Sequence, residues 1–194
     1  MNILLFGATG MVGQGVLREC LLDSRVQRVV VIGRRATGQH HAKLREIVHQ
    51  DLSDLSAIDS ELAGIDACFF CLGASAVGMS EAQYTRVTYD LTLSVAESLA
   101  RINPAMTFVY VSGTGTDSTE RGRAMWARVK GRTENALLRL PFRAAYMFRP
   151  AVIVPMHGIK SSTKWYRILY TVLAPLLPVL KRLDPDYVTT TERM

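Results

Sequence analysis

A doubly wound α/β domain, with a parallel sheet covered by helices on both faces, is the fold this sequence predicts. Three observations lead there. Residues 3–6 are apolar and run into glycines at positions 7, 10 and 13, after which apolar residues recur at helical spacing: strand, tight loop, helix. Residues 26–32 are an almost unbroken β-branched run, as in a central parallel strand buried on both faces. Further apolar runs then alternate with helical stretches as far as residue 148, the rhythm of a parallel sheet built from crossovers.

The first loop reads Gly7-Ala8-Thr9-Gly10-Met11-Val12-Gly13. Gly7 lets the chain turn off the strand, Gly10 leaves room for a phosphate against the backbone, and Gly13 lets the helix approach the sheet. The helix N-terminus behind it offers free N–H groups and a positive dipole end to a pyrophosphate. The spacing G-x-x-G-x-x-G is a variant of the dinucleotide fingerprint. This loop resembles the nucleotide loop of the extended and atypical short-chain dehydrogenase/reductases, nearest the NmrA-like and Tat-interacting-protein-like group. The resemblance covers nearly the whole chain. The expectation is a single Rossmann-like NAD(P)-binding domain over residues 1–194, sheet order 3-2-1-4-5-6, with a minimal substrate or lid region from about residue 151.

Residues 14–23 place Val16, Leu17, Cys20 and Leu21 on one helical face. The second strand ends at Gly33-Arg34-Arg35, about twenty residues after Gly13. An acid at this tip binds the ribose 2′-hydroxyl of NAD, whereas an arginine accommodates a 2′-phosphate. Two arginines and no acid predict NADP(H) in preference to NAD(H), with Arg34 the main contact and Arg35 beside it. A solvated arginine pair is the alternative.

Residues 37–43 are polar. Adjacent His40 and His41 share no helical face, so they predict an exposed loop or short helix and no metal site. Residues 46–49 read as the third strand, followed by Asp51-Leu52. The resemblance implies that this pair lines the adenine pocket, Asp51 accepting from the exocyclic amine. Asp51 reads equally as the N-cap of the short helix after it. Residues 66–72 are the fourth strand, and the resemblance places Leu72, Gly73 and Ala74 beside the cofactor. Cys68 and Cys71 make a C-x-x-C, but three positions apart on a strand they point to opposite faces, as buried hydrophobes rather than a redox pair.

Residues 80–101 read as one long helix, with Ser80 as N-cap, Gln83 at the capping-box position and Asn103-Pro104 as terminator. Residues 106–111 are the fifth strand and deliver Ser112 to the sheet edge where ligands gather. The resembled reductases use a serine here and a Tyr-x-x-x-Lys on the next helix. The tyrosine exchanges the carbonyl proton, the lysine lowers its pKa and holds the ribose, and the serine bonds the substrate oxygen. This chain has Ser112 and then Trp126-Ala127-Arg128-Val129-Lys130. Lys130 stands at the lysine position and Trp126 at the tyrosine position. An indole N–H donates one hydrogen bond but exchanges no proton. Two functions follow: an oxidoreductase on an unknown carbonyl or sugar-like substrate whose proton comes from water, Tyr89, Ser112 or Thr114, or a non-catalytic dinucleotide-binding sensor or interaction module.

That helix ends near Leu140-Pro141. Residues 142–148 form the sixth strand, and the following Arg149-Pro150 resembles a family segment whose backbone lines the nicotinamide side; a plain structural corner is the other reading. Residues 154–163 read as a polar loop in the substrate-specificity position, with His157, Lys160 and Lys164 nearby. Residues 165–183 are strongly apolar but broken by Pro175 and Pro178 and flanked by cations, which predicts docking on the domain ahead of contact with a membrane surface.

Length and composition agree with this fold. The chain has 194 residues, 48% hydrophobic and 21% charged, with a net charge of +6. The cations are scattered, which favours a phosphate-bearing small molecule over nucleic acid. Three cysteines and the absence of a secretory leader point to a reducing cytoplasm. Monomer and homodimer both fit.

Overall fold

The computed structural model describes residues 1–158 and 188–191. Strand β1 (Asn2–Phe6) leads into helix α1 (Met11–Leu22), then β2 (Arg28–Gly33), β3 (Leu44–Val48) and a 3-10 turn at Ser56–Glu61. Next come β4 (Ala67–Phe70), helix α2 (Glu81–Thr85), a π turn (Arg86–Asp90), α3 (Leu91–Ile102), β5 (Thr107–Val111), α4 (Met125–Leu137) and β6 (Ala144–Phe148). The six strands form one sheet in the order β3-β2-β1-β4-β5-β6, and every neighbouring pair is parallel. This is the doubly wound topology read from the sequence.

The sheet splits the core by strand alternation. Leu4, Phe6, Val30, Ile32, Phe70 and Phe108 face one layer, where Val95, Ala96 and Leu99 of α3 cover them. Ile3, Leu5, Val29 and Val31 face the other, under Val16, Leu17 and Cys20 of α1. Cys68 lies in the first layer and Cys71 against the second. Burial pushes both thiols up, so neither is a thiolate near neutrality. His40 and His41 are exposed, and among the described residues no cluster of ligating side chains would hold a metal.

The long helix differs from its sequence pattern. Ser80 caps it with the full capping box: its Oγ accepts from Gln83 N at 3.3 Å, and its own N–H donates to Gln83 Oε1 at 2.9 Å. The middle, however, widens into the π turn at Arg86–Asp90, which hydrophobic spacing alone does not signal. Asn103 ends the helix and braces the β4 approach, accepting from Ile65 N at 3.1 Å and donating to Leu62 O at 2.8 Å.

Two short strands escaped the sequence reading. β7 (Val152–Val154) pairs in parallel with β8 (Val188–Thr190). Three residues are too few for a periodicity signal, and Val154, where the sequence predicts the start of a loop, is the last residue of β7. Thr191 after β8 is buried against α1, where a Cβ on Gly15 would stand 2.7 Å from the Thr191 Cβ. Lys160, Lys164 and the apolar stretch 165–183 lie outside the described residues. Among those described, no helix is long and apolar enough to cross a membrane.

Candidate functional site

The cleft is built where β1, β2, β3 and β4 end. Gly7 leaves β1 at φ +81, a conformation that glycine adopts without strain, and Gly10 N donates back to Gly7 O at 2.9 Å to close the turn. The first helical bond runs from Gln14 N to Gly10 O at 2.9 Å. The N–H groups of Met11, Val12 and Gly13 therefore precede the intrahelical ladder and stand at the positive end of the α1 dipole. Gly13 fits because it has no side chain: a Cβ there would lie 2.1 Å from Gly7 O. Ala8 is buried under the loop, and Thr9 is exposed beside it.

Two adjoining cavities continue from this loop. The smaller, about 70 Å³, is lined by Gly7, Ala8, Thr9, Gly33, Arg34 and Arg35 among others. The larger, about 280 Å³, is lined by Arg34, Asp51, Leu52, Leu72, Gly73 and Ala74, with Gln50, Ser53, Val87 and Leu91 completing it. They share Arg34, Leu52 and Leu72. The sequence-derived loop, arginine tip, acid-hydrophobe pair and small-residue strand end thus converge on one cleft. A loop of open N–H groups, then a cationic tip, then an apolar slot with one carboxylate suits the pyrophosphate, ribose and adenine of a dinucleotide.

Asp51 is not the cap of the following turn. The N-cap position of that turn is Leu55, and Asp54 Oδ1 accepts from Ser56 N at 2.9 Å instead. Asp51 Oδ1 accepts from Ser53 Oγ at 2.5 Å and Ser53 N at 3.0 Å. Those bonds hold its carboxyl below the usual range, so it stays an ionised acceptor facing the slot. Ser53, Gln50, Val87 and Leu91 were missed in sequence. Val87 and Leu91 stand four apart on the long helix, and that spacing was the available signal.

Ser112, Trp126 and Lys130 do not line these two cavities. Ser112 follows β5, is buried, and has its Oγ 3.0 Å from Thr116 Oγ1. Trp126 and Lys130 stand four apart on α4, on one helix face. The Trp126 ring packs against Gly115, where a Cβ would be 3.2 Å from it. Lys130 Nζ sits 5.2 Å from the centroid of the Tyr110 ring. Burial lowers its amine from 10.5 to about 8, against the opposing pull of Glu134. One turn further on, Glu134 is 2% exposed and forked by Arg149, whose Nε donates to Oε1 at 3.0 Å. Pro150 turns the chain beyond β6, its carbonyl accepting from Thr114 N at 3.0 Å.

The Lys130 shift has a stability consequence. The unfolded amine holds its proton to 10.5 and the folded one only to about 8. Between those values the unfolded chain binds more protons, so stability rises with pH there, and the cost of the buried charge is complete below about 8. Lys130→Met is expected to melt higher than the wild type at pH 7, with the difference shrinking by pH 10. Calorimetric melting across that range checks it.

Fold and cleft together define a Rossmann-type NAD(P)-binding domain of the short-chain dehydrogenase/reductase kind. The chain belongs to the NAD dependent epimerase/dehydratase family, whose sequence profile matches residues 3–121, and within it to an atypical NAD(P)-binding branch. It is 33% identical over 159 residues to "Protein fmp52, mitochondrial" of Emericella nidulans, a match covering 78% of this chain and 66% of that protein. It is 28% identical over 156 residues to Protein HTATIP2 of Rattus norvegicus, covering 79% of this chain and 63% of that one. Among solved structures, the DesIV dTDP-glucose 4,6-dehydratase of Streptomyces venezuelae, with NAD and TYD bound, has a TM-score of 0.66 at 14% identity, over 90% of this chain and 62% of its own. MoeE5 in complex with UDP-glucose and NAD has a TM-score of 0.61 at 20% identity, over 79% and 55%. These structures establish the fold. The chain spans about two thirds or less of the length of these relatives.

Proposed function

We propose that this protein binds NADP(H) and transfers hydride between it and a small carbonyl or sugar-like substrate. The observation that carries the cofactor choice is the β2 tip. Arg34 and Arg35 are both exposed and line the cleft beside the glycine loop, with no carboxylate on the tip itself. In this reading a 2′-phosphate takes a charge-assisted fork from Arg34, with Arg35 supporting it. The glycine loop holds the pyrophosphate, Asp51 and Leu52 the adenine, and Leu72, Gly73 and Ala74 the adjoining ribose. Ser112 and Lys130 then stand at the reacting end, with Pro150 closing its far wall. The nicotinamide, when bound, supplies the hydride.

Calorimetric titration of the ligand-stripped protein with NADPH and then NADH tests this. NADPH is expected to bind at least tenfold tighter. Arg34→Ala is expected to lower NADPH affinity about 10- to 100-fold, the worth of a charged hydrogen bond, and to leave NADH unchanged. Equal affinities for the two cofactors, or no binding, would refute the assignment.

Trp126 favours a second reading, a dinucleotide-dependent sensor without turnover, since the indole moves no proton. Under it, NADPH binds tightly and no carbonyl is reduced. Compartment is a separate proposal: reducing cytoplasm from the cysteine usage, against the mitochondrial label in the name of a relative. Cell fractionation with a tagged chain separates the two.

A further inference from the structure

Trp126 stands where a tyrosine would serve the reacting end, and among the described residues the hydroxyl protons beside it are already committed. Thr116 Oγ1 donates to Gly113 O at 2.8 Å. A hydroxyl has one proton, so in the 3.0 Å pair with Ser112 it is Ser112 that donates and Thr116 that accepts. Thr114 Oγ1 donates to Arg149 O at 3.0 Å. Tyr89 packs its ring 4.3 Å from the Arg132 guanidinium. Arg132 is two positions from Lys130, about 200° around α4, so Tyr89 lies on the helix's far side. Tyr110 lies directly under Lys130 but is 1% exposed, and burial pushes its hydroxyl far up.

Among the described residues of β5, α4 and the loop between them, Lys130 is the group left. Tyr110 and Ser112 are two apart in extended chain and share a face, so an ammonium over Tyr110 stands one step from Ser112. No hydrogen bond or ion pair commits Nζ among the described residues. The charged and titratable groups facing it are Tyr110 from β5, with Tyr84 of α2 near enough to raise it, and Glu134 on α4. Glu134 is itself held by Arg149 at the end of β6.

We propose that Lys130 itself carries the proton to and from the substrate oxygen, in place of the missing tyrosine, an assignment that rests on the NADP(H) reading above. In reduction, the carbonyl carbon gains the hydride and the carbonyl oxygen gains the Nζ proton. The C=O π bond is replaced by one C–H and one O–H bond, and the neutral amine recovers a proton from water. Ser112, with its own proton on Thr116, offers lone pairs that receive a substrate hydroxyl or the lysine N–H. Burial poises the amine near 8, where it both gives and takes a proton at physiological pH.

The test joins a spectroscopic readout to a kinetic one, with NADPH and 4-nitrobenzaldehyde as probe. In protein whose lysines carry ¹³C-methyl groups, one resonance is expected to titrate near 8 and to be absent from Lys130→Arg. Aldehyde reduction by the wild type is expected to fall off above the same pH. Lys130→Arg keeps the positive charge but never releases its proton. It is expected to bind NADPH within threefold of the wild type and to lose at least 100-fold in kcat. A Lys130 resonance titrating above 10, an arginine variant that keeps its kcat, or a wild type that binds NADPH without reducing the aldehyde overturns the proposal. A wild type that binds no NADPH refutes the cofactor reading beneath it.

Discussion

Gly13→Ala is expected to abolish NADPH binding and to cost about 3 kcal/mol of stability. Its Cβ would stand 2.1 Å from Gly7 O, 2.6 Å from the Gly7 carbonyl carbon and 2.9 Å from Ala8 Cα. All three are backbone atoms, so no side-chain rotation relieves the clash. Either α1 backs away from the sheet or the loop shifts, and both move the free N–H groups at the α1 N-terminus. Gly10→Ala separates packing from ligand contact. Gly10 has extended backbone at φ −80, and its Cβ would meet only Gly7 O, at 3.3 Å. That variant is expected to melt within about 1 kcal/mol of the wild type yet bind NADPH at least tenfold more weakly. Denaturant melts with parallel titrations read both quantities. If Gly10→Ala binds as the wild type does, no phosphate approaches that backbone.

Arg149→Ala is expected to destabilise the fold by about 3 kcal/mol. Glu134 is 2% exposed, and Arg149 meets both its oxygens while also donating to Ser118 Oγ at 2.6 Å. Removing the arginine strands a carboxylate in the core. The Arg149 side chain is itself 39% exposed, which places the loss at the lower end of the range for broken buried pairs. Replacing both partners by methionine removes the stranded charge and is expected to recover most of the stability. Through Ser118, Arg149 also ties the β6 end to the loop before α4, so Arg149→Ala is expected to loosen Ser118 and Asn135, whose Nδ2 donates to Ser118 O at 3.0 Å. Hydrogen exchange over residues 113–124 reads that effect.

Much of this architecture was legible from local pattern. The β-branched run of β2 and the apolar β1 announced a buried parallel sheet because strands covered on both faces need apolar side chains on both. Ser80 and Gln83 announced a helix start because the capping box is satisfied within four residues. The turn at Arg86–Asp90 was not legible. Its widening is set by how the helix packs, and its residues carry no distinctive spacing. Strands β7 and β8 were missed for a related reason: they are three residues each, and their partners are 36 positions apart in register.

The site divides along the same line. Gly7, Gly10, Gly13, Arg34 and Arg35 could be read directly, since each answers to a local backbone demand or stands at a fixed distance from one. Sequence alone determined a doubly wound sheet, a glycine loop at its first crossover and a cationic second-strand tip. Only the tertiary structure decided that Asp51 faces the slot as a Ser53-held acceptor, that Glu134 is buried and needs Arg149, and that the hydroxyls of Ser112, Thr114 and Thr116 spend their protons on one another and on the backbone. Those outcomes depend on which groups meet across the fold and on how little water reaches them, and neither quantity is carried by any short stretch of chain.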